Sequence, residues 1–402
     1  MPHRHLHLHH DSPWLLALLA ALVALGPLSV DMYLPAMPRM MAALDTDISR
    51  MHLTLSTYLT GFAIFHLLCG PLADRFGRKP ILIGGTVLFV AACIGCSLST
   101  TVEELLLFRF IQGVGACVGP TLARAVARDV YGPTRAARAL SLIAMLMALA
   151  PAIAPTLGGI LLLWLPWPTI FYFLAFYGVT MIILIRVFLA ESLPQRQSLH
   201  PVIIAGNYAK LFRDPVFLTA TFASSFIYAG LLAYLSSSSF VYIDMLGVPV
   251  EYFGFIFLTS VAGYMLGSAV SARLSHHFDS EYTILMGSLL ATGAAGAMWL
   301  GAQILPDNIW VLILPMVFYA TGIGLVLPNA MAVALHSFPQ IAGTASALLG
   351  FIQMSLSASS TAIVGAFLKD TPYPMVNFMF FITTLSLILS VLLYRGRSVT
   401  KP

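Results

Sequence analysis

Charge is what this sequence has least of. Asp, Glu, Lys and Arg together make up 9% of its 402 residues, where soluble domains carry about 25%. That shortage excludes an ordinary water-soluble domain. Cysteine is also scarce: Cys69, Cys93, Cys96 and Cys117 all fall inside apolar runs, where thiols are read as small buried hydrophobes. Cys93 and Cys96 form C-x-x-C, yet no βαβ pattern surrounds them to support a redox reading. No G-x-x-x-x-G-K-[ST] loop is present, which argues against an ATP-driven pump. Inside the apolar runs there is neither a His/Asp/Glu ligand cluster nor a nucleophile motif, so no metal, cofactor or enzymatic role is expected. The alternating pattern of a lipid-spanning barrel is missing as well.

What the chain has instead is hydrophobic length. Apolar residues make up 59%, and mean hydropathy is +0.90. Runs close to the roughly 20 residues needed to cross hydrocarbon as a helix recur throughout. They fall at about 14–38, 52–71, 80–99, 105–127, 139–162, 169–190, 216–238, 252–273, 283–303, 309–335, 343–367 and 375–394. The expected fold class is therefore all-α integral membrane, with twelve transmembrane helices. The first run is too long for a signal-peptide core and is followed by no cleavage site, so it is read as a span. The longest hydrophilic stretch, 191–215, divides the spans into two six-helix bundles, 14–190 and 216–394, with tails at 1–13 and 395–402. Such halves form parallel repeats that bind substrate between them near the midplane.

Orientation follows from Lys and Arg. With a cytoplasmic N-terminus, sixteen of the twenty fall in inside segments, Arg39, Arg50 and Lys369 fall outside, and Arg109 lies within a span. The positive-inside rule then places both termini in the cytoplasm. The net charge of +4 is accounted for by this topology and implies no nucleic-acid partner. The start, MPHRHLHLHH, is compatible with metal binding or with a cloning remnant and carries no weight here.

One acid interrupts the first span. In PLSVDMYLPAMP, residues 27–38, Asp31 follows a run whose most polar member is Ser29. An ionised carboxylate there costs about 2.5–3.5 kcal/mol on insertion scales, and intramembrane ionisable residues are functional candidates by default. Of the sixteen acidic residues, Asp31 alone lies well inside a span, and Arg109 is the one base so placed. Counted from the outer ends of their spans, they lie about 12 Å and about 9 Å deep along a helix.

Three stretches carry a family resemblance. GPLADRFGRKP, residues 70–80, resembles the signature loop of the major facilitator superfamily at Gly70, Leu72, Asp74, Arg75, Gly77, Arg78 and Lys79. Glycine suits the sharp bend of so short a turn. Asp74 is suited to hold a helix N-terminus through its dipole, and the three cations anchor the cytoplasmic face. LLLFRFIQGVGA, residues 105–116, is similar to the fourth-helix motif through Arg109, Gln112, Gly113 and Gly115. APAIAPTLGG, residues 150–159, resembles the fifth-helix antiporter motif through Pro151, Pro155, Gly158 and Gly159, with Ala150 and Ala154 where glycine is usual. With VDMYLPAMP, TLSTYLTGFA, ARDVY, FVYIDMLGV, PNAMAVAL and FPQIAGTAS, the whole chain resembles the Bcr/CflA subfamily of bacterial drug/proton antiporters.

The resemblance implies a major facilitator fold in the bacterial inner membrane. It implies export of varied antibacterials, such as bicyclomycin, sulfonamides and phenicols, against periplasmic protons. The signature loop becomes a latch between the halves, and the first and fourth spans line the central cavity, with Asp31 and Arg109 facing each other or one water apart. Desolvation favours a neutral carboxylic acid and a nearby cation favours the carboxylate, so proton occupancy at Asp31 depends on water access and on Arg109. The competing reading is a permanent buried pair that fixes helix packing. A drug pocket needs aromatic walls and a few polar groups; the candidates are Tyr33, Tyr58, Phe62, Gln112, Tyr234, Asn329 and Gln353, each of which also suits packing or an interhelical hydrogen bond. Expected partners are small-molecule drugs, protons and the lipid bilayer, with the chain acting as a monomer. Two alternatives stay open: a dedicated exporter of one endogenous metabolite on the same fold, and a non-transport membrane protein.

Overall fold

The computed structural model of the chain describes residues 13–131, 143, 150–193 and 201–400. The His-rich start, part of the hydrophilic stretch and the first residues of the expected fifth span lie outside the described residues. Among those described, every regular element is helical. Eleven segments, from Trp14–Ala43 to Tyr373–Gly396, are long and apolar enough to cross a membrane, and a shorter apolar helix, Ala150–Trp164, stands where the fifth span is expected. Hydrocarbon offers no partner to backbone N–H and C=O groups, so a crossing segment satisfies them internally as a helix.

In the first half the helices are α1 (Pro13–Asp31) and α2 (Met37–Ala43), which share span one, then α3 (Ile48–Phe76), α4 (Arg78–Leu98) and α5 (Val102–Ala116). A break at Cys117 separates α5 from α6 (118–131), which completes span four. α7 (Ala150–Trp164) and α8 (Pro168–Phe188) follow. α9 (Pro201–Arg213) lies between the halves, and the second half holds α10 (Pro215–Ser239), α11 (Val250–Leu274), α12 (Ser280–Ile304), α13 (Trp310–His336), α14 (Ala342–Phe367) and α15 (Tyr373–Thr400).

Polar residues in the short turns start these helices. The Asp47 carboxylate accepts the Arg50 N–H at 2.8 Å and caps α3. Thr101 and Glu104 form a reciprocal capping box on α5. Asp214 accepts the Phe217 N–H at 2.6 Å and starts α10. Each cap satisfies a helix-end donor that would otherwise face the edge of the hydrocarbon unpaired.

The halves meet along two seams, α3 against α14 and α7 against α11. At the end remote from the termini, Ser56 Oγ donates to the Ala358 carbonyl at 2.8 Å. A Cβ on Gly159 would stand 2.8 Å from the Val250 carbonyl oxygen, so α7 touches the start of α11 backbone to backbone. Toward the termini, the first seam reaches His66, whose ring lies against Gly350. Beyond it, α9 holds on to the first half by a 3.4 Å bond from Tyr208 Oη to the Leu67 carbonyl.

Candidate functional site

The centre of the molecule is organised by a break in span one. Pro35 and Pro38 have no N–H to give, so the carbonyls of Asp31 and Leu34 lose their partners four residues on, and α1 stops at Asp31. A short 3₁₀ turn, Leu34–Ala36, bridges to α2. Asp31 is thus the last residue of α1. It is 4% exposed, and among the described residues its carboxyl has no hydrogen-bond or ion-pair partner. It lies within electrostatic reach of the Tyr228 phenol on α10, which in turn neighbours Tyr264 on α11.

Arg109 is fully buried at the same depth but does something else. Its Nη1 donates to the Ser29 carbonyl at 3.3 Å and to Gln112 Oε1 at 2.6 Å. Its guanidinium lies between two aromatic faces, 4.2 Å from the Tyr33 ring centre and 4.4 Å from that of Tyr58. A cation at the C-terminal turn of α1 is favourably placed against the helix dipole, and each desolvated cation–π contact adds about 0.5–2 kcal/mol. Ion pairs join Arg50 to Glu103 and Arg78 to Asp74 and Asp129, and among the described residues none joins Arg109 to Asp31. Both Nε and Nη2 of Arg109 are buried without a partner among the described residues. The arginine is held by π-faces and carbonyls with spare hydrogen-bonding capacity left over.

The sequence candidates divide by location. Tyr33, Tyr58 and Gln112 build the Arg109 clamp, and Phe62 packs beside Tyr58 at 6.4 Å between ring centres. Tyr33 is fixed by a hydrogen bond between its hydroxyl and Thr54 Oγ1, and Gln112 by a 3.0 Å bond to Cys93 Sγ. Close approach of α3 and α5 makes the clamp possible: a Cβ on Gly113 would fall 2.0 Å from the Tyr58 carbonyl oxygen. The other three lie elsewhere. The Tyr234 hydroxyl is 2.8 Å from that of Tyr242, near the remote end of α10. Asn329 donates to Ser271 Oγ at 2.7 Å, tying α13 to α11. The Gln353 side chain on α14 is half-buried and makes no bond to the described residues.

The signature loop is braced by the first half and by the first residue of the connection after it. Gly77, at φ 106°, occupies backbone space that side chains disfavour, and lets the chain turn directly from α3 into α4. The Arg78 guanidinium bridges Asp74 at 2.8 Å and Asp129 at 3.2 Å. Lys79 Nζ donates to the Arg186 carbonyl at 3.0 Å. Arg75 lies over the Phe76 ring, and a Cβ on Gly70 would meet no described atom within 4 Å. The helix-start role expected of Asp74 belongs to Glu191. Asp74 sits in the last turn of α3 facing Arg78, whereas the Glu191 carboxylate accepts the Arg78 and Lys79 N–H groups at 2.9 and 3.2 Å. A residue assigned from sequence to the hydrophilic connection thus caps α4, from more than a hundred positions away. No local spacing signals that contact.

In the antiporter-like stretch, Pro155 lies inside α7, with Pro151 in its first described turn. A Cβ on Gly158 would stand 2.6 Å from the Met32 carbonyl oxygen. The paired glycines therefore seat α7 between the broken turn beside Asp31 and the backbone of α11.

With this geometry in hand, known proteins give the context. The Major Facilitator Superfamily profile matches residues 19–362. A bicyclomycin resistance protein homolog from Haemophilus influenzae is 30% identical over 379 residues, 94% of each chain. A multidrug resistance protein MdtL from Escherichia coli O157:H7 is 29% identical over 384 residues, 94% of this chain and 95% of its own. Among solved structures, a D-xylose-proton symporter superposes with a TM-score of 0.74 at 14% identity, covering 95% of this chain and 97% of its own. A bacterial homolog of the human lysosomal transporter Spinster superposes at 0.73 with 16% identity, covering 96% and 97%.

Proposed function

Because the chain belongs to the Major Facilitator Superfamily, and so is a multi-pass membrane transporter rather than an enzyme, we propose that it is a drug/proton antiporter of the bacterial inner membrane. In this reading both termini are cytoplasmic, and the halves 14–190 and 216–394 rock about a central site. Antibacterial small molecules leave the cell as protons enter. The similarity to proteins named for bicyclomycin and multidrug resistance supports the cargo class.

The observation that carries the proton role is an acid without a partner at a helix break. Asp31 lies within electrostatic reach of Tyr228 in the second half, and Arg109 is anchored independently of it. An acid free of a permanent salt bridge can change protonation as the halves move, with no buried pair to break. The cycle then has four steps. Open to the periplasm, Asp31 takes a proton. The carrier reorients. Open to the cytoplasm, Asp31 releases the proton as drug enters. The drug-loaded carrier then turns back to the periplasm, where drug leaves as the next proton binds. Mutual exclusion of proton and drug, together with slow reorientation of the empty deprotonated carrier, couples the two flows. The unpartnered N–H groups of Arg109 suit a role in drawing the carboxylate in when it ionises. A membrane potential of 100 mV adds about 2.3 kcal/mol per net charge moved.

Tyr33, Tyr58, Phe62 and Gln112 form the first-half wall of the proposed pocket, and Gln353 adds an available polar group from the second. Tyr234 and Asn329 act as packing residues in this reading. The signature-loop residues Gly70, Asp74, Arg75, Gly77, Arg78 and Lys79 latch the halves in the opposite orientation; among the described residues, the bonds they form here run to the first half and to Glu191 at the start of the connection. Pro151, Pro155, Gly158 and Gly159 keep the span-five seam tight against proton leak. The protein works as a monomer.

The test is proton release from acid-loaded inverted vesicles, followed with a pH-sensitive dye as antibacterials are added. Drug-dependent alkalinisation of the lumen, absent with Asp31→Asn, is expected. Uphill export by the Asp31→Asn protein would remove Asp31 from the proton path. Silence across the panel with inserted, folded protein would favour a dedicated metabolite exporter.

A further inference from the structure

A second ionisable side chain, on α3, lies on the line where the halves meet. His52, in the first turns of α3, is 0% exposed. Its ring stacks on Phe240 at the end of α10, with centres 5.5 Å apart and planes 25° from parallel. Its Nδ1 is 3.3 Å from the Thr361 carbonyl oxygen of α14. A Cβ on Gly365 would fall 2.3 Å from His52 Cβ, so the residue is pressed against the bare backbone of that helix. One turn on, Ser56 Oγ donates to the Ala358 carbonyl at 2.8 Å. His52 is therefore enclosed on one side by its own helix and on the others by the second half. It is exposed only if this seam parts.

Hydrogen-bond accounting then limits its state. A neutral imidazole with its proton on Nδ1 has its one N–H satisfied by the Thr361 carbonyl. His52 Nε2 is buried with no partner among the described residues, and so is Thr361 Oγ1. An imidazolium must donate from both nitrogens. In the closed seam its second N–H meets no acceptor and its charge is sealed in an apolar wall, whereas in a parted seam water supplies both needs.

No fixed countercharge on the surrounding elements is bonded to the ring. α14 carries no charged or titratable residue along Ala342–Phe367, and Lys369 and Asp370 lie beyond its end. The turn Phe240–Met245 carries Tyr242, whose hydroxyl is engaged by Tyr234, and Asp244, which is exposed. Arg39 on α2 donates to the Leu162 carbonyl. On α3, Asp47 is the helix cap and Arg50 pairs with Glu103 of α5, where Glu104 completes the capping box and Arg109 is clamped. α4 contributes Cys93 and Cys96, and α10 Tyr228 and Tyr234, none bonded to the ring.

We propose that His52 is a second protonation site, set in the outer gate and distinct from Asp31, which binds a proton only when that gate opens and thereby ties opening to acid on the outer side. By reciprocity, whatever opens the seam favours protonation, and outside acid favours the open seam. The assignment of this side as the periplasm rests on the topology proposed above. An acidic periplasm then does two things: it loads Asp31 and holds open the gate through which cargo leaves.

The test places spin labels on Thr46→Cys and Lys369→Cys of the full-length protein in lipid nanodiscs and reads their separation by double electron–electron resonance between pH 8 and pH 5; the native cysteines are all buried. The expected result is a several-fold rise in the long-distance population on acidification. His52→Gln should stay in the short-distance form throughout, and His52→Lys should favour the long distance at both pH values. Because these variants move in opposite directions, misfolding cannot imitate the pattern. Asp31→Asn should keep the acid response, which separates this site from the proton-carrier role. A wild-type-sized shift in His52→Gln, or no shift in the parent protein, would overturn the proposal.

Discussion

The clamp around Arg109 makes a prediction that distinguishes it from a buried ion pair. If Arg109 and Asp31 were paired, removing either would strand the other, a penalty of about 3–5 kcal/mol for a buried pair, and the two would be strongly coupled. In this structure the cation is instead bonded to the Ser29 carbonyl and Gln112 and lies 4.2 and 4.4 Å from two ring centres. A double-mutant cycle of Tyr58→Leu with Arg109→Gln should give a coupling of about 0.5–2 kcal/mol, the size of a desolvated cation–π contact. The parallel cycle of Asp31→Asn with Arg109→Gln should fall below about 0.5 kcal/mol, as for residues that share no partner. The assay is reversible denaturant unfolding of the drug-free proteins in mixed micelles. Coupling of about 2 kcal/mol or more between Asp31 and Arg109, with none between Tyr58 and Arg109, would refute the arrangement. It would mean that the pair, not the π-faces, stabilises span four against span one.

Three further outcomes follow from contacts already described. Gly113→Ala should lose about 1–3 kcal/mol through overpacking, read as a lower Tm, because its Cβ would stand 2.0 Å from the Tyr58 carbonyl oxygen. Glu191→Ala should lower stability by about 0.5–2 kcal/mol, the range for a lost helix cap. Its signature is faster hydrogen exchange at the Arg78 and Lys79 amides; unchanged exchange there would show that the carboxylate does not cap α4. Asn329→Ala breaks the bond to Ser271 and should cost about 1 kcal/mol while leaving the drug spectrum intact, so an altered spectrum would return Asn329 to the pocket.

The spans were legible because hydropathy summed over about twenty residues depends on composition and hardly on neighbours. Their ends were less so. The expected run 52–71 is a helix from Ile48 to Phe76, since the polar residues at its ends, from Asp47 to Arg75, cap and extend the helix instead of ending it. Asp31 and Arg109 stood out as lone charges in apolar runs, and counting rise per residue put them at one depth. Their relation was not readable that way. Pro35 and Pro38 unwind span one just after Asp31, so a regular helix no longer predicts where its side chains point. Glu191 reads as a linker acid, and nothing in the sequence marks His52.

Composition and the three motif stretches by themselves determined a multi-span transporter and singled out one acid and one base within it. Those properties reside in single residues and in their spacing along a helix. Which groups meet was decided only by tertiary structure: Arg109 with two π-faces, Asp31 within reach of Tyr228, Glu191 on the start of α4, His52 sealed by α14. Each contact joins helices far apart in the chain, and its existence depends on how those helices are rotated, broken and pressed together, which no local pattern encodes.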